Sequence, residues 1–186
     1  SYNGTNWTEV NDLNTARSTL GGCGATNTAA LAIGGRPGVA LTETWNGTNW
    51  TEVNDLNNAG YAQGGAGTNT SALTFGSSAG STITESWNGT NWTVVNSLGT
   101  GRYKPAATGQ SNTAALTFGG EPATALTELW NGTNWTEVNS LNTSRMGLAG
   151  GGTTTSALGF GAYSPARGIT ESWNGTNWTA ENDFNT

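Results

Sequence analysis

The hexapeptide WNGTNW occurs at Trp45–Trp50, Trp87–Trp92, Trp130–Trp135 and Trp173–Trp178, and a fifth copy near the start carries Tyr2 in place of the first tryptophan. Its second tryptophans, with Trp7, recur every 42 or 43 residues. A unit of that length repeated along a whole chain means stacked or radially arranged supersecondary units, each burying its apolar face on the next. The rest of the sequence is therefore read within the repeat.

In the unit from Arg17 to Asp55 four strand-length segments stand between Gly, Asn, Thr and Pro: Ser18–Cys23, Thr28–Ile33, Leu41–Trp45 and Asn49–Val53. They are rich in β-branched or aromatic residues or in glycine, and no window holds a helical period. Four short strands in a unit of about 43 residues predict an all-β fold, a β-propeller of four-stranded antiparallel blades. The boundaries are a partial blade at 1–15, a third- and fourth-strand hairpin, followed by blades at 16–58, 59–100, 101–143 and 144–186.

Within each blade the glycine-rich first strand (Gly21-Gly22-Cys23-Gly24, Gly64-Gly65-Ala66-Gly67) suits a crowded axis, and the nearly apolar second strand suits burial on both faces. Asn46-Gly47 is a hairpin signal of the type I′ kind. With a loop of two or of four residues, both tryptophans of a hexapeptide emerge on one face of the hairpin as cross-strand neighbours. Trp45, Trp50, Trp87, Trp92, Trp130, Trp135, Trp173 and Trp178 are thus read as packing residues, with a surface sugar platform as the alternative use of such a slab. Trp50, Trp92 and Trp135 are expected to be largely buried between blades.

The wording "LxxGG…TExWNGTNWTEVNDLNTAR" resembles the kelch repeat. The double glycine is Gly34-Gly35 and Gly119-Gly120, altered to Gly76-Ser77 and Gly161-Ala162; the arginine is Arg17, Arg102 and Arg145, with Gly60 breaking the pattern. The longer phrase is similar to repeat segments of structural and tail-fibre-like proteins of marine bacteriophages. That resemblance implies a virion or extracellular part whose partners are other virion proteins, copies of itself, or a host-surface glycan or protein. Kelch folds also include protein-binding adaptors, so a cellular adaptor or secreted lectin is the other reading.

The chain holds four first-and-second strand pairs but five hairpins, begins inside a repeat, and has Met146 as its sole methionine. A processed product or a piece of a longer array is expected, or a blade completed by another chain. A net charge of -6 argues against a nucleic-acid binder, and no apolar run of spanning length argues for insertion in a membrane. Zero histidines leave no ordinary triad and no His-ligated metal, so neither catalysis, cofactor nor metal is expected. Cys23, the one cysteine, is read as a packed thiol.

Variation concentrates in two loop classes, "RPGVA", "SSAGS", "EPATA", "YSPARG" and "ARST", "AGYA", "GRYK", "SRMG", which open on one face. All six basic residues lie there against Asp12, Asp55, Asp183 and Glu121, an excess of about +2 by count. Arg17, Arg102 and Arg145 obey the repeat and are read as structural. The off-repeat Arg36, Tyr103, Lys104, Tyr163 and Arg167, with Tyr61 beside them, are the candidate ligand-binding residues. Glu43, Glu85, Glu128 and Glu171, one per unit, are read as solvated outer-face acids, with a ring-shaped metal site as the alternative.

Overall fold

A computed structural model describes residues 1–163 and 168–183. Among the described residues it is all-β apart from a single 3-10 turn at Ser78–Gly80. The first sheet runs β1 (Gly21–Thr26), β2 (Ala29–Ile33), β3 (Thr42–Trp45) and β4 (Trp50–Val53); the second β5 (Gly64–Gly67), β6 (Ala72–Phe75), β7 (Thr84–Trp87) and β8 (Trp92–Val95). The third runs β9 (Ala106–Ser111), β10 (Ala114–Phe118), β11 (Thr127–Trp130) and β12 (Trp135–Val138); the fourth β13 (Ala149–Gly152), β14 (Ala157–Phe160), β15 (Thr170–Trp173) and β16 (Trp178–Ala180). Each is a four-stranded antiparallel sheet with its strands in chain order.

The first strands pack side by side in the order β1, β5, β9, β13. Their glycines make this possible: a Cβ on Gly65 would stand 2.7 Å from the Gly22 carbonyl oxygen. Second strands form the sheet centres, with Leu31, Ile33, Leu73, Phe75, Leu116 and Phe118 all buried. The fourth sheet departs from this, since Leu158 of β14 is exposed. The first strand of the first sheet begins later than the sequence suggests, whereas β5 coincides with the expected Gly64–Gly67. Thr19, inside the expected Ser18–Cys23, has φ 49° and turns the chain before β1 can start.

The hexapeptide uses all six residues. Trp45 and Trp50 are paired directly across β3 and β4, with ring centroids 5.3 Å apart, and the other three copies repeat this at 5.3 to 5.4 Å. The first tryptophan is buried within its own sheet, where its Nε1 donates to the β1–β2 loop, at the Asn27 carbonyl (3.0 Å) for Trp45. The turn between them has four residues, the longer of the two lengths expected, and is not of the type I′ kind. Asn46 Oδ1 accepts from the N–H groups of Thr48 (2.9 Å) and Asn49 (2.8 Å), and only Gly47 takes a positive φ, 93°. An Asx side chain thus does locally what a second left-handed residue would otherwise do.

The second tryptophan reaches backward to the preceding sheet. Nε1 of Trp92 donates to Thr42 Oγ1 (3.0 Å), that of Trp135 to Thr84 Oγ1 (2.9 Å) and that of Trp178 to Thr127 Oγ1 (3.0 Å). Trp135 and Trp178 meet Phe75 and Phe118 of those sheets edge-on, at 4.8 and 4.7 Å, and Trp92 packs with Leu31 and Ile33. Removing about 150 to 250 Å² of ring from water is worth roughly 4 to 6 kcal/mol per tryptophan as an upper bound. Trp92 and Trp178 are buried, whereas Trp50 and Trp135 are half-buried, so the expected burial is complete at Trp92 and partial at the other two. Trp7, the equivalent in the first hairpin, is 81% exposed, and that hairpin is reduced to a single bridge, Tyr2 to Trp7.

The remaining asparagine completes the interlock. Asn11, Asn54, Asn96 and Asn139, each just before the next unit, donate from Nδ2 to the Thr carbonyl and to the second Asn Oδ1 of that unit's hexapeptide, at 2.7 to 3.0 Å. The asparagines thus tie successive units together while the tryptophans bury the surface between them.

Candidate functional site

The four periodic glutamates are not solvated. Glu43, Glu85, Glu128 and Glu171 are at most 3% exposed, each reached by the segment that enters its sheet. Arg17 pairs with Glu43 and Arg102 with Glu128, while Arg145 Nη2 lies 2.9 Å from Glu171 Oε1. In three of the four sheets the incoming arginine covers the carboxylate, and at Glu85 the amides of Asn57 and Asn58 do so, which is why these acids escape water. Further backbone acceptors hold each guanidinium: Arg102 Nη1 donates to the Leu126 carbonyl (2.9 Å) and Arg145 Nη1 to that of Ile169 (2.8 Å). Burial alone would raise the pKa of Glu43, but hydrogen bonds from Arg17, Asn14 N and Thr15 N, with the Arg17 charge, hold it below the usual carboxylate range.

The double glycine serves this arrangement. A Cβ on Gly120 would meet the Cβ and Cδ of Arg102 at 3.3 Å, and one on Gly35 would crowd Cδ and Cγ of Arg17 at 3.2 and 3.3 Å. The structural reading of Arg17, Arg102 and Arg145 therefore matches their placement. Their charge is spent inside the sheets, and the +2 excess counted for the loop face does not exist as a surface property.

On the loop face, three units contribute to one concavity of about 290 Å³, lined by Thr19, Arg36, Tyr61, Ser78, Tyr103 and Lys104 among others. Thr19, Ala62 and Lys104 occupy equivalent positions with φ of 49°, 58° and 50°, and they are stitched in sequence: Ala62 N donates to Thr19 O and Lys104 N to Ala62 O, both at 2.7 Å. This backbone chain sets the neighbouring side chains beside one another. The Arg36 guanidinium sits 4.9 Å from the Tyr61 ring centroid, Lys104 Nζ sits 5.2 Å from that of Tyr103, and Nζ is 3.1 Å from Glu121 Oε2. A hydrogen bond to Glu121 raises the Tyr103 pKa, and the same bond with that of Lys104 lowers that of Glu121.

Arg36, Tyr103 and Lys104 are thus brought together, and Tyr61 with them. Tyr163 is exposed but stands apart, against the Gly147 turn of the fourth unit, and Arg167 lies outside the described residues. Thr19, Ser78 and Ala79 are not singled out by the sequence; the signal that could have found them is register within the repeat, Thr19 with Lys104 and Ser78 with Arg36.

A second concavity, about 300 Å³, runs along the first strands and is lined mainly by Gly22, Gly24, Gly65, Gly67, Gly109 and Gly152. It offers backbone and few side-chain groups. Cys23 lies on it, its Sγ 3.8 Å from the Thr68 carbonyl, and burial pushes the thiol up to about 12, so it stays protonated at neutral pH. Among the described residues no group of three or more His, Cys, Asp or Glu gathers that could hold a metal ion, and no helix is long and apolar enough to cross a membrane.

These features define an all-β repeat protein whose units interlock through a tryptophan-bearing hairpin. No protein-family model matches the chain, and no curated protein is significantly similar to it.

Proposed function

We propose that the four sheets are blades of a kelch-type β-propeller or of a longer array of such blades, and that the module binds without catalysing. Its place is a virion appendage, as the likeness to phage repeat segments suggests, and its ligand is a host-surface glycan held on the loop face. The observation that carries the binding reading is the meeting of Arg36, Tyr61, Tyr103 and Lys104 in one concavity, where Arg36 and Lys104 are off the repeat and the tyrosine position is filled by Tyr in two of the four units. Aromatic rings flanked by cations and a carboxylate are the chemistry that stacks on sugar faces and bonds their hydroxyl groups.

Trp7 supports the array reading. Its counterparts Trp92 and Trp178 are covered by a preceding sheet, so the exposed ring is a seat for a further blade, from this chain's continuation or from another copy. The test of the ligand face is a glycan array probed with the 186-residue chain and with its Arg36→Ala, Tyr103→Ala, Lys104→Ala triple variant. Selective binding that falls at least about tenfold in the triple variant, a loss of about 1.4 kcal/mol, supports the reading. Binding unchanged by the three substitutions overturns it.

A further inference from the structure

The second unit breaks the arginine pattern in a concerted way. Where the other three place Arg17, Arg102 and Arg145, it has Gly60; where two of them have the second glycine, it has Ser77. A Cβ on Gly60 would collide with Ser77 Oγ, so Ser77 stands in the path that an arginine side chain takes in the sister sheets. The glutamate is nevertheless kept. Glu85 is 2% exposed and accepts four hydrogen bonds, from the backbone N and Nδ2 of Asn57 (both 2.9 Å) and of Asn58 (2.8 and 3.1 Å). Among the described residues no lysine or arginine pairs with it, so this sheet buries a carboxylate with neutral donors alone.

What the missing side chain leaves is a cavity of about 100 Å³ bounded by Gly60, Gln63, Gly76, Ser77, Ile83 and Glu85. That is several times the space one water requires, and it is comparable with cavities that admit a small planar molecule. Asn58, Ala59 and Ile83 at its border are exposed, so it opens to the surface. A second feature points to a ligand. Gln63 is 8% exposed, its Nε2 donates to the Ile33 carbonyl (3.2 Å), and its Oε1 has no hydrogen-bond partner among the described residues. That oxygen lies 3.7 Å from where a Cβ on Gly60 would stand, which aims it into the cavity. A buried acceptor left without a donor costs about 1 to 3 kcal/mol, and a bound donor would recover it.

We propose that this cavity is a binding site for a guanidinium group supplied from outside the sheet. The sister sites show what such a group meets. Arg102 donates to the Glu128 carboxylate and to the carbonyls of Gly119 and Leu126, and Arg145 to Glu171, Gly161 and Ile169. The same positions in the second unit are Glu85, Gly76 and Ile83, all on the cavity wall, and Gln63 Oε1 adds an acceptor where the sisters have Leu20, Pro105 and Leu148. A planar fork of five donors matches this set of acceptors, whereas an ammonium is a compact point charge with three. The group is carried either by an arginine of a protein chain or by a small guanidino solute. The assignment is independent of the loop-face reading above.

The test is a nitrogen-15 NMR titration of the 186-residue chain with methylguanidinium, methylammonium and a capped Ala-Arg-Ala peptide. Saturable shifts are expected in the Gly60 amide and the Gln63 and Asn58 side-chain amides, with methylammonium at least about tenfold weaker. They should vanish in Glu85→Gln and in the double variant Gly60→Arg, Ser77→Gly, which rebuilds the sister arrangement and fills the cavity from within. The double variant carries the test if Glu85→Gln does not fold. A peptide that binds more tightly than methylguanidinium identifies a protein chain as the source, and a weaker one a small solute; either order upholds the site. Shifts that fail to saturate, that methylammonium reproduces at equal affinity, or that persist in the double variant overturn it.

Discussion

Replacing Arg102 by Met removes the guanidinium from a pair in which both side chains are at most 4% exposed. Glu128 would keep only the backbone donors Gly99 N (2.7 Å) and Thr100 N (3.4 Å). Breaking a buried pair by deleting one partner costs about 3 to 5 kcal/mol, because the surviving charge is neither solvated nor neutralised. For a chain of this size that is a fall in melting temperature of roughly 6 to 20 °C. The second sheet shows how the fold tolerates the same loss: Asn58 stands where Thr100 does, and its Nδ2 donates to the carboxylate at 3.1 Å. Adding Thr100→Asn to Arg102→Met should therefore return about 1.5 to 3 kcal/mol, the worth of a hydrogen bond to a charged group. Urea denaturation followed by tryptophan fluorescence measures both steps. A loss below about 1 kcal/mol for Arg102→Met, or no recovery with asparagine, would refute the reasoning.

Acid should destabilise the protein through Glu43, whose folded-state pKa lies below its ordinary 4.5: the stability it contributes is present above that value and is lost as pH falls below it, so the midpoint in urea should decline from about pH 4.5 downward, and less so in Glu43→Gln. Cys23 behaves oppositely, since burial raises its pKa from 9.0 to about 12; the thiol should react with a disulfide reagent at pH 8 far more slowly than free cysteine, and stability should fall as pH rises above 9. Asn96→Ala removes two inter-unit hydrogen bonds at exposed positions and should cost about 1 to 2 kcal/mol by the same denaturation assay.

The repeat made the architecture legible because one period had to satisfy one environment many times. Strand number, the pairing of Trp45 with Trp50 and the structural arginines all followed from it. What escaped were facts that depend on which neighbour lies beside a residue. Glu43 and its equivalents read as solvated because periodic acids usually are, yet in three of the four sheets the arginine of the entering segment covers the carboxylate; no local pattern in "TETW" contains that segment. The turn length stays open between two and four residues in the sequence because Asn46 can either adopt a left-handed backbone or cap nearby amides with its side chain, and the dipeptide is compatible with both. The loop-face grouping of Arg36, Tyr61, Tyr103 and Lys104 was legible as a face but not as a contact set, since register between units decides it. Gly60 was visible as a break; its consequence, a cavity beside Glu85, needed the position of Ser77 and Gln63.

The second tryptophan of the last three hexapeptides is a bolt between sheets, and the chain contains its own control. Trp92 and Trp7 occupy the same place in the same motif, but Trp92 is 6% exposed, bonded to Thr42 and packed on the preceding sheet, while Trp7 is 81% exposed. The direct test is the unfolding free energy of the 186-residue chain as Trp92→Ala and as Trp7→Ala. Trp92→Ala should lose about 3 to 5 kcal/mol, as emptying a large buried aromatic site does, and Trp7→Ala no more than about 0.5 kcal/mol. Equal losses at the two positions would contradict that role.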